Sequence, residues 1–291
     1  MLEYVQMISK KKIAVFKKDI LSWYAINKRD LPWRKTRDPY SILISEVMSQ
    51  QTQLSRVVIK YDAWMERFPT VQTLAQASVG DVLKYWSGLG YNRRALHLKK
   101  AAESIFLNFK GEFPRTEKEL MTLPGIGKYT ANAVLCFAFD EQVAVVDTNV
   151  RKVILTQVLN QSAEKATALN LHYASQKTAI IEKEIEDIAK KLLPKDQAYE
   201  WNQALMDYAS GVLKKEKIPI PKQSKFHGSH RYYRGQVLKQ LLQKKKIAIK
   251  DLGLIIKKDY TEAEEEWLQK LLKELSKEGF IVIKKEAVML I

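Results

Sequence analysis

Cysteine is all but missing from this chain of 291 residues: Cys136 is the only one. No disulfide can form within it, and no cluster that needs four thiolates can be held. Cys136 lies in the apolar run AVLCFAF, where a buried, inert thiol is expected. Long apolar runs are missing as well. No stretch approaches the ~18 consecutive apolar residues of a membrane-spanning helix, and the opening MLEYVQMISKKKIAVF lacks the apolar core and cleavage site of a secretory signal. A soluble, cytoplasmic chain with no membrane partner is the expectation. Histidine is sparse, and His227 and His230 have no acidic or thiol neighbour at metal-ligand spacing, so no metal site is expected. Acid is in deficit: 33 Asp and Glu against 49 Lys and Arg leave a formal charge of +16. That balance suits a polyanionic partner, nucleic acid above all, although charge also serves plain solubility.

What remains is mostly helical in pattern. Apolar residues recur at helical spacing over 11–28, twice within 41–68 around a polar break at Ser49–Gln53, as a short pair over 70–90, and over 92–109. Further helices fit 116–122, 128–138, 148–159, 176–193 and 198–213, and strand character is scarce before residue 220. IPIPKQSKFHGSH (218–230) breaks the pattern with two prolines and a glycine, which places a boundary there and makes Phe226–His230 read as linker. Beyond it come helices and a closing β-hairpin, the order of a winged-helix module, in a segment that is again basic. The expected architecture is mainly α: a core over 1–222, with 31–138 as a six-helix lobe and 1–30 plus 139–222 as a second lobe, then a small α+β domain over 223–291.

The string LPGIGKYTA (123–131) spends two of only eleven glycines in one turn. Gly125 and Gly127 would let the backbone turn tightly and leave N–H groups bare where a helix begins near Lys128. Such a helix start can seat a phosphate oxygen, a grip on nucleic acid that reads no base. Taken with LPWR (31–34), DPY (38–40), SEVMSQQTQ (45–53), GLGY (88–91), VDTNVRKV (146–153) and EWNQALMDYAS (200–210), the chain resembles the helix-hairpin-helix DNA glycosylase superfamily, in its MutY-like, adenine-releasing branch. The likeness covers roughly two-thirds of the chain.

That resemblance implies a DNA N-glycosylase of base excision repair, acting on double-stranded DNA with a mismatched or oxidised pair. Breaking the N-glycosidic bond needs an acid on the side of the base and an anion near the sugar, as in glycoside hydrolysis. Glu46, flanked by apolar residues, and Asp147, after VAVV, fit those needs, though Asp147 could simply cap a helix and Glu46 could be a solvated carboxylate. By resemblance Glu46 protonates the base and assists the water, Asp147 stabilises or captures the sugar cation, and Asn149 orients them. Tyr129 stands where bifunctional relatives carry a lysine, and a phenol cannot form an imine, so a monofunctional enzyme without lyase activity is implied. Lys128 beside it should point elsewhere. Gln50, Gln51 and Tyr91 match residues that wedge into the duplex beside the flipped base. Leu123, Gly125, Gly127, Lys128 and Thr130 match the backbone-gripping hairpin, where a monovalent cation is often bound at the Leu123 and Gly125 backbone. Arg93, Arg94, Lys99 and Lys100 could meet phosphates, or be solvated charges.

Three departures qualify the likeness. The four cluster cysteines of typical members are absent, Leu213 standing at the first, so no cofactor and no iron–sulfur cluster is expected. The family's lesion-reading Nudix-like domain cannot fit the remaining tail, which is expected to leave a monomer with a repair-protein partner on its C-terminal domain. DTN replaces the usual DGN, and Asn92 the second tyrosine after GLGY. Mismatched thymine or uracil is therefore the alternative substrate, and a non-catalytic DNA-binding module the alternative of another class.

Overall fold

The computed structural model describes residues 10–159, 178–215 and 225–291. Its elements run α1 (Lys10–Asn27), α2 (Pro39–Ser49), α3 (Leu54–Arg67), α4 (Val71–Gln76), α5 (Val79–Trp86), α6 (Arg93–Asn108), α7 (Glu117–Leu120), α8 (Lys128–Phe139), α9 (Thr148–Val153), α10 (Thr178–Leu192) and α11 (Ala198–Gly211). The C-terminal region adds α12 (His230–Gln243), β1 (Lys246–Ala248), α13 (Ile249–Ile256), α14 (Glu265–Glu278), β2 (Ile281–Lys284) and β3 (Ala287–Leu290). The protein is mainly helical, and among the described residues its strands are confined to this tail.

The starts of the helices are written in the sequence. In DPY, Asp38 accepts from the backbone N–H of Ser41 at 2.9 Å and from its hydroxyl at 2.5 Å, capping α2, while Pro39 opens the helix with the φ that it requires. Thr70 and Thr73 form a reciprocal capping box on α4, and Ser78 caps α5. The polar break at 49–53 is real: α2 ends at Ser49 and α3 begins at Leu54.

The chain divides into two compact units, and their boundaries differ from those read in the sequence. One holds residues 1–46, 115–122 and 126–222; the other holds 47–114, 123–125 and 223–291, so the tail shares a unit with α3–α6. In the first unit α1 packs on α11, Phe16 meeting Trp201 and Trp23 meeting Tyr208 edge to face. Asp207, only 2% exposed, takes the Arg34 guanidinium bidentately at 2.8 Å and the backbone N–H of Arg29 at 3.0 Å. Burial pushes its carboxyl up, but the two arginines outweigh it and hold it below the usual value. In the second unit Trp64, Phe68 and Trp86 form the aromatic centre. The tail's sheet is antiparallel in the order β1-β3-β2, with Ile247 opposite Val288 and Ile283 opposite the same residue from the other side.

The tail holds a third strand and a helix, β1 and α13, that the sequence pattern did not reveal. Three residues are too few for a legible alternation, and β1 exists because β3 pairs with it. Phe226–His230 is also not a linker: Ser229 caps α12 through the Tyr232 N–H, and His230 is the first helical residue. Residues 218–224 of the expected break lie outside the described residues, as do 176–177 of the expected helix 176–193.

Candidate active site

Two devices bring Asp147 to its place. Asp140 closes α8 in a left-handed conformation, which most residues disfavour, and the chain then runs without helix or strand to α9. Asn202 of α11, 1% exposed, fastens that run: its amide donates to the Val143 carbonyl at 3.0 Å, and its oxygen accepts from the Val145 N–H at 2.9 Å. Asp147 then caps α9, one oxygen accepting from the Val150 N–H at 2.7 Å and the other from the Asn149 amide at 2.7 Å. The capping reading of Asp147 is thus correct, and it leaves the carboxylate held on both oxygens. Burial still raises its pKa above the ordinary value despite these donors.

Glu46 is not a solvated carboxylate. It is 9% exposed on α2, and Tyr129 of α8 donates its phenolic hydrogen to Oε2 at 2.5 Å. Burial pushes its pKa up to about 7; the Tyr129 bond and Arg34 pull it down, while the negative charge of Asp147 adds to the rise. The same surroundings drive the Tyr129 phenol far upward, first by burial and then by Glu46 and Asp147. Glu46, Tyr129, Asp147 and Asn149, spread over a hundred residues of sequence, form one electrostatically coupled group within the first unit. It pairs a carboxyl able to keep its proton near neutrality with a second carboxylate held by fixed donors.

Lys128, adjacent to Tyr129, is engaged elsewhere, donating to Glu186. Thr130 is only 2% exposed, so its side chain is core and cannot reach a ligand at the surface; within α8 it lies on the packed face. The two hairpin glycines differ. Gly125 has φ +78°, and a Cβ there would stand 2.6 Å from the His97 Cβ, so the fold itself demands glycine. Gly127, the N-cap of α8, has an ordinary φ of −95° and open space where a side chain would lie. Leu123, like Thr130, is only 2% exposed, and its side chain belongs to the core.

In the second unit Gln50, Gln51, Tyr91 and Arg93 line one cavity of about 890 Å³, together with Phe226 and His230 of the tail. Gln51 and Tyr91 both adopt left-handed backbone, φ +53° and +48°, a conformation few non-glycine residues hold without a reason. Arg93 is exposed and pairs with Glu278 at 3.8 Å. Arg94 and Lys99 are not solvated charges: Lys99 is 8% exposed with its ammonium on the Ala75 carbonyl, and Arg94 points into the protein. Of the buried charges Asp207 and Lys99, only Asp207 carried an overlooked signal, an ionisable residue inside the apolar stretch ALMDYA. Among the described residues no group of three or more His, Cys, Asp or Glu is placed to hold a metal ion.

Comparison with known proteins fits this geometry. Residues 44–177 match the HhH-GPD superfamily of base excision DNA repair proteins. The chain is 41% identical over 196 residues to the adenine DNA glycosylase of Mycolicibacterium smegmatis, covering 67% of this chain and 62% of that protein. It is 37% identical over 209 residues to that of Rattus norvegicus, covering 69% and 38%. Less than two thirds of either relative's length is therefore represented. Among solved structures, a thermostable thymine-DNA glycosylase superposes with a TM-score of 0.60 at 29% identity, covering 77% of this chain and 98% of that one. Residues 44–177, which run from the helix bearing Glu46 past Tyr129 and Asp147, form a domain of the HhH-GPD superfamily of base excision DNA repair proteins.

Proposed function

We propose that this protein is a monofunctional DNA N-glycosylase that removes adenine mispaired with 8-oxoguanine or guanine. The observation that carries the reading is a carboxyl with a pKa of about 7, bonded by Tyr129 and raised in part by the charge of a second carboxylate, Asp147. With Tyr129 donating to Oε2, Oε1 of Glu46 carries the transferable proton. That proton passes to the departing base as its bond to the sugar breaks, so the electron pair leaves on a neutral base. The oxocarbenium ion left behind faces the Asp147 carboxylate, which stabilises it by charge or closes a covalent bond with it. Water then adds at the same carbon, giving its proton back to Glu46, and where the covalent bond has formed the Asp147 carboxylate leaves with that bond's electron pair. Asn149 holds Asp147 throughout, so its charge needs no reorganisation as the cation develops. Tyr129 and the Glu186-bound Lys128 supply no amine for an imine, and the product is an intact abasic strand.

DNA would be gripped at the bare turn of Gly125–Gly127 and Lys128, and opened by Gln50, Gln51 and Tyr91, with Arg93 meeting phosphate. The carbonyls of Leu123 and Gly125 are the hard oxygen donors that a monovalent cation takes. One cysteine cannot hold an iron–sulfur cluster, and the protein would work without one, as a cytoplasmic monomer with the tail free for a repair partner. A thymine or uracil preference is the second reading, favoured by the likeness to a thymine-DNA glycosylase over nearly all of that chain. Labelled duplexes containing A opposite 8-oxoguanine, A opposite G, T opposite G or U opposite G, treated with hot alkali after incubation, decide between them. Strand scission at adenine supports the proposal, scission at thymine or uracil transfers it to the second reading, and none with a fully active, DNA-binding preparation leaves a binding module.

A further inference from the structure

Arg94 is used in an unusual way. Nη1 donates to the carbonyls of Val47 at 2.6 Å, Met48 at 3.2 Å and Gln50 at 2.6 Å. Nη2 donates to the Thr52 hydroxyl at 3.1 Å and to the carbonyls of Leu89 at 3.3 Å and Gly90 at 3.2 Å. Every one of these six acceptors belongs to one of two short segments, the end of α2 with the loop after it, and the turn before α6. The last carbonyls of a helix have no partner within it, and a cation there also meets the negative end of its dipole. The guanidinium lies 5.6 Å from the centre of the Tyr91 ring and 5.1 Å from that of Trp86. Thr52 closes the array by donating to Gln50 and reaching Leu89 at 3.4 Å. On either side of this knot stand Gln51 and Tyr91, the residues with left-handed backbone.

We infer that Arg94 is a positioning residue that locks the Gln50–Thr52 loop and the Leu89–Tyr91 turn together, so that Gln51 and Tyr91 enter the duplex as one rigid wedge. Only a planar fork with donors on two nitrogens can serve both segments at once, and an ammonium at the same place cannot. The costly left-handed backbone at two non-glycine residues persists because the surroundings over-determine it. Burial lowers the pKa of Arg94 to about 10, which still leaves it charged at neutral pH. The inference rests on the reading that this chain flips a nucleotide, and its test separates the two.

Arg94→Lys keeps the charge and removes the fork. In the free protein, amide hydrogen exchange of residues 50–52 and 89–92 is expected to accelerate by about tenfold or more while the α3–α5 core is unchanged. With duplex carrying 2-aminopurine as the target base opposite guanine, the fluorescence rise that reports unstacking should shrink. Single-turnover release of adenine opposite 8-oxoguanine should fall about 10- to 100-fold, with duplex Kd altered less than about threefold. Added to Tyr91→Ala, Arg94→Lys should cost clearly less than it does alone, because half of the wedge it positions is already gone. If Arg94→Lys does not fold, Thr52→Val, which removes one acceptor of the same array, carries the test with the same signs. Normal unstacking in the variant, additive losses with Tyr91→Ala, or a loss confined to affinity with a shallower salt dependence would each overturn the inference; the last would make Arg94 a phosphate contact. Wild-type protein that unstacks 2-aminopurine through an Arg94-dependent loop but releases no base would uphold the clamp and refute the proposed activity.

Discussion

Burial beside Tyr129 places the charge change of the Glu46 carboxyl at about pH 7. As the acid, it predicts a single-turnover rate that declines as pH rises through about 7, and Glu46→Gln should remove release at every pH. Stability should follow the same titration. The folded value lies above the ordinary 4.5, so the stability Glu46 contributes is full below that value and is lost as pH rises through about 7. Glu46→Gln should therefore stabilise the fold at pH 8 relative to wild type by on the order of 1–3 kcal/mol, raising Tm there and changing it little at pH 4. A thermal melt at both pH values reads this directly. Asp147→Asn keeps an oxygen for the Val150 N–H, so duplex binding should stay within about threefold while base release falls by about 10²-fold or more. Asp147 shows how far sequence reasoning reaches at this scale. The motif around it was legible, and the capping bond that the structure shows is also one of the two that would hold the carboxylate for the proposed chemistry. Arg94 was not legible, because a charge after a turn reads as solvated until the carbonyls that receive it are located in space.

Among the elements, the hairpin turn makes the sharpest prediction. Gly125 and Gly127 look equivalent in sequence, yet only the first is fixed by conformation and by the His97 side chain. Gly125→Ala should lower Tm substantially, the strain at φ +78° adding to a clash at 2.6 Å. Gly127→Ala should leave Tm within about 2 °C but weaken duplex binding, because a methyl would stand where a phosphate approaches the start of α8. Equal binding by the alanine variant would take the hairpin out of the interface. Helix positions were readable because caps and apolar spacing agree locally, as at DPY and at the break after Ser49. β1 was not, since a three-residue strand owes its existence to the partner it pairs with.

At the scale of the whole molecule, the charge of +16 is the property that survives any detail of the site. If several Lys and Arg neutralise phosphates, raising salt from about 50 to about 200 mM should weaken duplex binding by roughly 10³-fold or more. A titration by fluorescence anisotropy at several salt concentrations gives the slope, and a flat one would remove the electrostatic account. The division into two units was the least legible feature, because it cuts α2 directly after Glu46 and groups the tail with residues 47–114. Composition marks a break near the linker, but it cannot say which earlier helices the tail joins.

The lone thiol has a practical corollary. Cys136 is fully buried, its sulfur takes a hydrogen from the Asn202 amide at 3.3 Å, and burial pushes its pKa up to about 12. Thiolate is the form that maleimides and iodoacetamides attack, so the native chain is silent to such reagents at neutral pH. A cysteine introduced at an exposed position such as Leu107 can accordingly be derivatised alone, and a single fluorophore or spin label attached without first stripping the protein of background reactivity.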